Sequence, residues 1–265
     1  MERAGAGEHR ERLAAFGARC GSAEVAEWAM QANRNPPQLK SFDRYGQRID
    51  EVEFHPAYHQ LMALGIGAGV SSAAWSGASA GHVLHTALEF LMAQAEPGVC
   101  CPMTMTYASL AALENQPELL AEWKPRILSS EYDGSSQPAK AKRGATIGMA
   151  MTEKQGGSDV RANTTRASRN ADGSYNLVGH KWFCSAPMSD AFLTLAYADG
   201  GLTCFLVPKL SARKVAACAP SLTWCITPAW TAFWRRRHIC DRRWRTPCGT
   251  RPTAPPFKES SSISR

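Results

Sequence analysis

The chain reads as an α+β protein: an all-α N-terminal part over residues 1–144, the start of an antiparallel, barrel-like β-domain over 145–210, and an irregular or disordered tail over 211–265. Three observations predict this. Apolar residues recur at helical spacing as far as Lys124. A polar, turn-rich connector, Ser129–Gly144, then marks a change of composition. Beyond it short alternating and β-branched segments take over, with Asp172-Gly173 as a tight hairpin turn.

Taken in order, Glu2 to Met30 carries Leu13, Phe16, Val25, Trp28 and Ala29 at turn-like spacings, and Asn35-Pro36-Pro37 stops the helix. Leu39–Glu53 is polar with one Tyr-Gly turn. A helix follows Pro56 through Met62 and Leu64 and is expected to continue into the Gly/Ala/Ser-rich stretch Gly65–Ala80. His82–Ala95 places Val83, Leu84, Leu88, Leu91 and Met92 on one face, the pattern of a buried amphipathic helix. Thr104–Leu113 and Pro117–Lys124 complete the helical part. The strands expected after the connector are Ala145–Met151, Asn163–Ala167, Tyr175–Val178, Ala191–Tyr197 and Leu202–Val207.

Composition narrows the function classes. At 265 residues and 44% hydrophobic the chain can bury a sizeable core. No apolar run reaches the roughly 18 residues of a membrane span, and MERAGAGEHRERL lacks a signal peptide's apolar centre, so a cytoplasmic protein is expected. The nine Cys show neither disulfide nor zinc spacing and read as reduced thiols. His55/His59 and His82/His85 have helical spacing but no accompanying carboxylate motif, so they are expected to pack or face solvent, and no metal site is assigned. The net charge of +7 is unevenly placed: residues 211–265 hold nine Arg and two Lys against Asp241 and Glu259, leaving a net −2 on residues 1–210. The body therefore has no electrostatic footprint for a phosphate backbone.

The chemistry is concentrated between Gly148 and Pro187. GMAMTEKQGGSDV sets Thr152 after a short apolar run, then Gly156, Gly157 and Ser158, so unhindered backbone N–H groups and two hydroxyls converge in one loop suited to a polar cofactor edge or a phosphate. YNLVGHKWFCSAP alternates like a strand and ends in Trp182, Phe183, Cys184 and Ser185, an aromatic face beside a hydroxyl, as a flat heterocycle requires.

At these residues the chain resembles the acyl-CoA dehydrogenase family. MTEKQGGSDV at Met151–Val160 is similar to its T-E-x-x-x-G-S-D loop, and GHKWFCS to its second flavin strand, G-x-K-x-W-I-T, with Phe183 rather than Trp182 at the usual Trp. NPP at Asn35–Pro37, FHPAYH at Phe54–His59 and CCPMTMT at Cys100–Thr106 resemble the AidB, adaptive-response branch in the same order. The resemblance covers about residues 1–210. It implies an FAD-binding oxidoreductase acting on CH–CH bonds, with an acyl-CoA thioester and a homo-oligomer as the partners of the intact family. It further implies that Met149, Met151 and Thr152 face the flavin's pyrimidine edge, that Gly157 and Ser158 lie near its pyrophosphate or the thioester, and that Phe183 and Ser185, with Trp182 beside them, flank its reacting nitrogen. The family's catalytic base sits in a C-terminal helical bundle, as does the DNA-binding region of the AidB branch, so no catalytic residue is assigned and the chain reads as a fragment inactive alone.

The tail holds four of the eight Trp and four of the nine Cys but one of the 21 Gly, without helical or strand period. Two readings stand: a basic Arg/Trp module that binds nucleic acid, or a shifted reading frame, since a frame one nucleotide earlier from Trp224 onward permits a helical, amphipathic sequence similar to the family's C-terminal domain.

Overall fold

The computed structural model describes residues 5–209 and the strand at 216–219. Both readings of the tail therefore lie outside the described residues, apart from that one strand.

Helix α1 (Arg10–Cys20) follows a short 3-10 turn and ends at Gly21; Ser22 then accepts the Val25 N–H at 3.3 Å and starts α2 (Ala23–Arg34). Asn35 caps α2 at the predicted stop. The next stretch departs from an all-α half. β1 (Gln38–Phe42) and β2 (Arg48–Glu53) form an antiparallel hairpin whose turn is tied by Asp43, with Oδ1 accepting the N–H groups of Tyr45 and Gln47 at 2.8 Å each.

α3 (Pro56–Ala68) has His55 as its N-cap and stops at Gly69, whose φ of +89° is the left-handed conformation that favours glycine. The expected continuation of this helix to Ala80 is thereby corrected: residues 69–80 turn, and α4 (Gly81–Ala95) begins afresh. α5 (Cys100–Leu113) and α6 (Pro117–Ile127) follow.

Twelve of the fourteen α5 residues are buried, so this helix is apolar on every side and forms a wall between two cores. On one side Phe16, Val25, Leu61, Met62, Leu84, Leu88, Met92 and Met103 pack among the helices. On the other, Met105, Leu110 and Leu113 pack with Trp123 and Ile127 of α6 against Ile147, Leu193, Leu195 and Leu206 of the sheet.

That sheet contains β3 (Ile147–Ala150), β4 (Arg166–Arg169), β5 (Tyr175–Val178), β6 (Ala191–Ala198), β7 (Gly201–Pro208) and β8 (Ala216–Ala219). Its order is β5-β4-β6-β7-β8, with β3 also on β6. The expected antiparallel barrel is corrected on two counts. The sheet is open across the described residues, and it is mixed: β3 and β4 both run parallel to β6. They lie end to end along one edge of β6, β3 from Ala191 to Thr194 and β4 at Tyr197. Everything between Ala150 and Arg166 must therefore loop out from the middle of that edge.

Among the described residues no helix is long and apolar enough to cross a membrane. Among the described residues Cys20, Cys100, Cys101 and Cys184 are free thiols.

Candidate functional site

The loop between β3 and β4 is the TEKQGGSD motif, and its placement follows from the sheet. Thr194 donates to the Ala150 carbonyl at 2.6 Å at the loop's start, and the Tyr197 N–H donates to the Thr165 carbonyl at 2.8 Å at its end. Inside, Glu153 and Gly156 form an isolated antiparallel bridge, and Asp159 caps a 3-10 turn at Val160–Ala162. Gly157 is required by close approach: a Cβ there would sit 3.0 Å from Thr152 Cγ2 and 3.1 Å from its Oγ1. Gly156 has open space where its Cβ would be.

After β5 the chain leaves the sheet, so the strand-like alternation of YNLVGHKWFCSAP is a strand only over Tyr175–Val178. Residues 179–185 cross the motif loop instead. The Trp182 N–H donates to the Thr152 carbonyl at 2.9 Å, and Gly179 lies flush on Thr165, where a Cβ would come within 2.2 Å of the Thr165 hydroxyl. Two segments far apart in sequence are thus laid side by side.

Of the eight candidate residues, Met151, Thr152, Gly157, Ser158, Trp182, Phe183 and Ser185 belong to these two loops. Thr152 and Met151 are half-buried, Gly157 and Ser158 exposed. Met149 is set back in β3, buried and paired with Leu193, so its side chain is committed to the core. Trp182 and Phe183 are 43% and 78% exposed, and their rings meet edge to face at 5.9 Å and 79°, offering two differently oriented faces instead of one flat wall. Phe183 holds a φ of +57°, a left-handed conformation uncommon for a side chain of its size. Ser185 is exposed, and its closeness to the Cys101 thiol of α5 only partly offsets the burial that pushes that thiol's pKa up.

The residue under both loops is Glu153, and reasoning from sequence did not give it this place. Its side chain is 1% exposed. Oε1 accepts from Lys181 Nζ at 2.9 Å, from the Thr165 N–H at 3.1 Å and from the Thr165 hydroxyl; Oε2 accepts from the Thr164 N–H at 2.6 Å, the Thr164 hydroxyl at 2.9 Å and Gln155 Nε2 at 2.7 Å. Burial alone would raise its pKa, yet the bonds from Lys181, Thr164, Thr165 and Gln155 hold it well below the usual carboxylate range. The available signal was a Glu inside a Gly-rich loop with a Lys one residue before the aromatic pair.

A cavity of about 300 Å³ lies elsewhere, between the β1–β2 hairpin, α3, the connector and residues 186–189. Lys40, Glu51, Glu53, His59, Asp133 and Lys142 give it walls of mixed charge, and no candidate residue lines it. The four motif histidines are placed as packing and capping groups: His55 accepts the Ala57 N–H, His59 bonds the Tyr132 hydroxyl, His82 the Tyr107 hydroxyl and His85 the Val70 carbonyl.

Residues 1–134 match the profile of the adaptive response protein AidB N-terminal domain, and residues 148–223 match the acyl-CoA dehydrogenase middle domain. The chain belongs to the AidB branch of the acyl-CoA dehydrogenase family. Within that family it is 49% identical to AidB of Escherichia coli (strain K12) over 212 residues, 79% of this chain and 39% of that protein. It is 33% identical to acyl-CoA dehydrogenase family member 11 of Caenorhabditis elegans over 190 residues, 69% of this chain and 30% of the relative. The crystal structure of Caenorhabditis elegans ACDH-11 in complex with C11-CoA superposes with a TM-score of 0.65 at 29% identity, over 76% of this chain and 36% of that one. The apo form of Bd2924 gives the same TM-score at 28% identity, over 76% and 42%. The chain thus spans well under half the length of these relatives.

Proposed function

We propose that this chain supplies the helical part, 1–144, and the flavin-contacting part, 145–210, of an AidB-type acyl-CoA dehydrogenase, an FAD-binding oxidoreductase whose substrate class is an acyl-CoA thioester. The observation that carries the reading is the 2.9 Å bond from the Trp182 N–H to the Thr152 carbonyl, because it joins the two motif segments into one surface. That surface fits a flavin in its donor set. Thr152 and Ser158 offer hydroxyls, Gly157 leaves the backbone beside Thr152 uncovered by a Cβ, and Trp182 and Phe183 present apolar faces. When bound, the flavin supplies the hydride acceptor for dehydrogenation. Met151 and Thr152 hold its polar edge, Gly157 and Ser158 its phosphates, and Phe183 and Ser185 shield the reacting side from water.

Neither motif carboxylate is assigned as the proton-abstracting base. Glu153 is saturated by six donors, and Asp159 is held by the Arg161 guanidinium at 2.9 Å and by the Arg161 N–H. Titration of the purified chain with FAD, followed by quenching of flavin fluorescence, tests the reading. Weak but saturable quenching, diminished by Thr152→Ala and by Trp182→Ala, is expected. Absence of saturable quenching, or quenching indifferent to both substitutions, would overturn it.

A further inference from the structure

We infer that Glu153, clamped by Lys181, is the positioning residue that fixes the two candidate flavin loops against each other; the inference rests on the flavin reading above for what the loops hold. Four pieces of backbone converge on this carboxylate. Glu153 itself follows Thr152 directly. Thr164 and Thr165, each giving it both an N–H and a hydroxyl, end the loop just before β4. Gln155 Nε2 bonds both Glu153 and the Ala162 carbonyl, cross-bracing the loop's interior. Lys181, 13% exposed, reaches in from the second segment and directly precedes Trp182. Of the outer groups, Thr152 directly precedes Glu153 and Trp182 directly follows Lys181, so one residue of each loop adjoins the ion pair.

The geometry explains why a charge is needed there. The loop is expelled from the edge of β6 between two parallel strands, so apart from the Glu153–Gly156 bridge no ladder bonds hold its middle, and its other N–H groups need acceptors. One ionised carboxylate provides two oxygens that accept all six donors, and a charged acceptor makes such bonds shorter and stronger than neutral ones. A glutamine could accept with one atom only and would turn two N–H donors toward the Thr164 and Gln155 donors. Lys181 in turn is the only one of the six donors carried by the second segment, so its loss removes the side-chain tie between the segments and leaves the Trp182–Thr152 backbone bond to hold them, with the loop's internal bonds intact. With its side chain 1% exposed, Glu153 acts through Thr152 and Trp182.

The test compares the full chain with Glu153→Gln, Lys181→Met and, as a control, Lys142→Met, which breaks a second buried ion pair, between the connector and the start of β6, away from the loops. Two readouts are taken on each, with melting temperature as the record of general destabilisation. The first is FAD affinity and the sharpness of the bound flavin's visible band. Glu153→Gln and Lys181→Met are expected to weaken binding by about tenfold to a hundredfold and to blur the band, as loss of a supporting residue does, while Lys142→Met stays within about threefold of the parent at a similar loss of melting temperature. The second is backbone hydrogen exchange over 151–158 and 181–186 without ligand. Both segments should lose protection together in Lys181→Met and keep it in Lys142→Met. Affinity and exchange in Lys181→Met that match the Lys142→Met control would overturn the inference. If the parent chain binds no FAD, the flavin reading fails, and the exchange readout still decides whether Lys181 and Glu153 couple the loops.

Discussion

Lys142 and Asp190 meet at 2.7 Å where the connector reaches the start of β6, and Lys181 and Glu153 meet at 2.9 Å where the two motif loops cross. Both pairs are buried, both join segments far apart in sequence, and both brace the same sheet. Their surroundings differ. Asp190 accepts from Lys142, from the Thr146 N–H at 2.9 Å and from the Thr146 hydroxyl at 3.5 Å, and burial pushes its pKa up despite these bonds. Glu153 accepts six donors, and they outweigh its burial. With a lysine beside each, the carboxylate that accepts six donors is held down in pKa and the one that accepts three is pushed up by its burial. Asp190 is one side of a plain ion pair, whereas Glu153 is the centre of a folded loop.

Removing one partner sharpens the comparison most. Lys142→Met and Glu153→Gln should each cost about 3–5 kcal/mol, the usual penalty for stranding a buried charge, measured by denaturant unfolding. The loss should look different in the two cases: general for Lys142→Met, and concentrated in residues 151–165 and 179–185 for Glu153→Gln.

Acid titration separates the pairs by sign. The carboxyl of Glu153 is held below the ordinary glutamate value of 4.5, so its stabilisation is complete above that pH and is lost as the pH falls further toward the depressed folded value. The carboxyl of Asp190 is raised above the ordinary 3.8, so it works the other way: acidification through its raised folded value toward 3.8 favours the folded state. Melting curves from pH 7 to pH 3 should therefore show Glu153→Gln losing its disadvantage only below about pH 4.5, while Asp190→Asn removes a gain already visible above pH 3.8. The same sign for both would break the distinction.

Much of the fold was legible because its signals are local. Leu84, Leu88 and Met92 mark α4, Asp172-Gly173 marks the β4–β5 turn, and Tyr175–Val178 is a strand as read. The β1–β2 hairpin was missed because Leu39, Phe42 and Ile49 are exposed and no alternating face is buried. The helix after Pro56 was drawn too long because small residues fit a helix until Gly69 takes a left-handed turn. The parallel pairing of β3 and β4 on β6 has no local signature; hairpin turns speak only for neighbours. The motif residues of the site are legible as chemistry, yet Glu153 is not, since its six donors come from Gln155, Thr164, Thr165 and Lys181, and the two threonines fall in a stretch whose pattern predicts a strand.

The smallest expected effect is a pair of glycine changes. Gly157→Ala presses a Cβ against Thr152 at 3.0 Å and should cost about 1 kcal/mol and weaken FAD binding. Gly156→Ala meets nothing within 4 Å and should stay within about 0.5 kcal/mol of the parent, with unchanged binding.

The contrast between the two pairs is tested most directly by replacing each of them whole with apolar residues and measuring unfolding free energy. In Lys142→Met/Asp190→Leu most of the single-variant loss should be recovered, because apolar packing can replace a plain buried pair. In Lys181→Met/Glu153→Leu the loss should persist, because the N–H and hydroxyl groups of Thr164 and Thr165 keep no acceptor, at about 1–3 kcal/mol for each buried donor left unpaired. Equal recovery in the two double variants would contradict the view that Glu153 organises the loop through its hydrogen bonds.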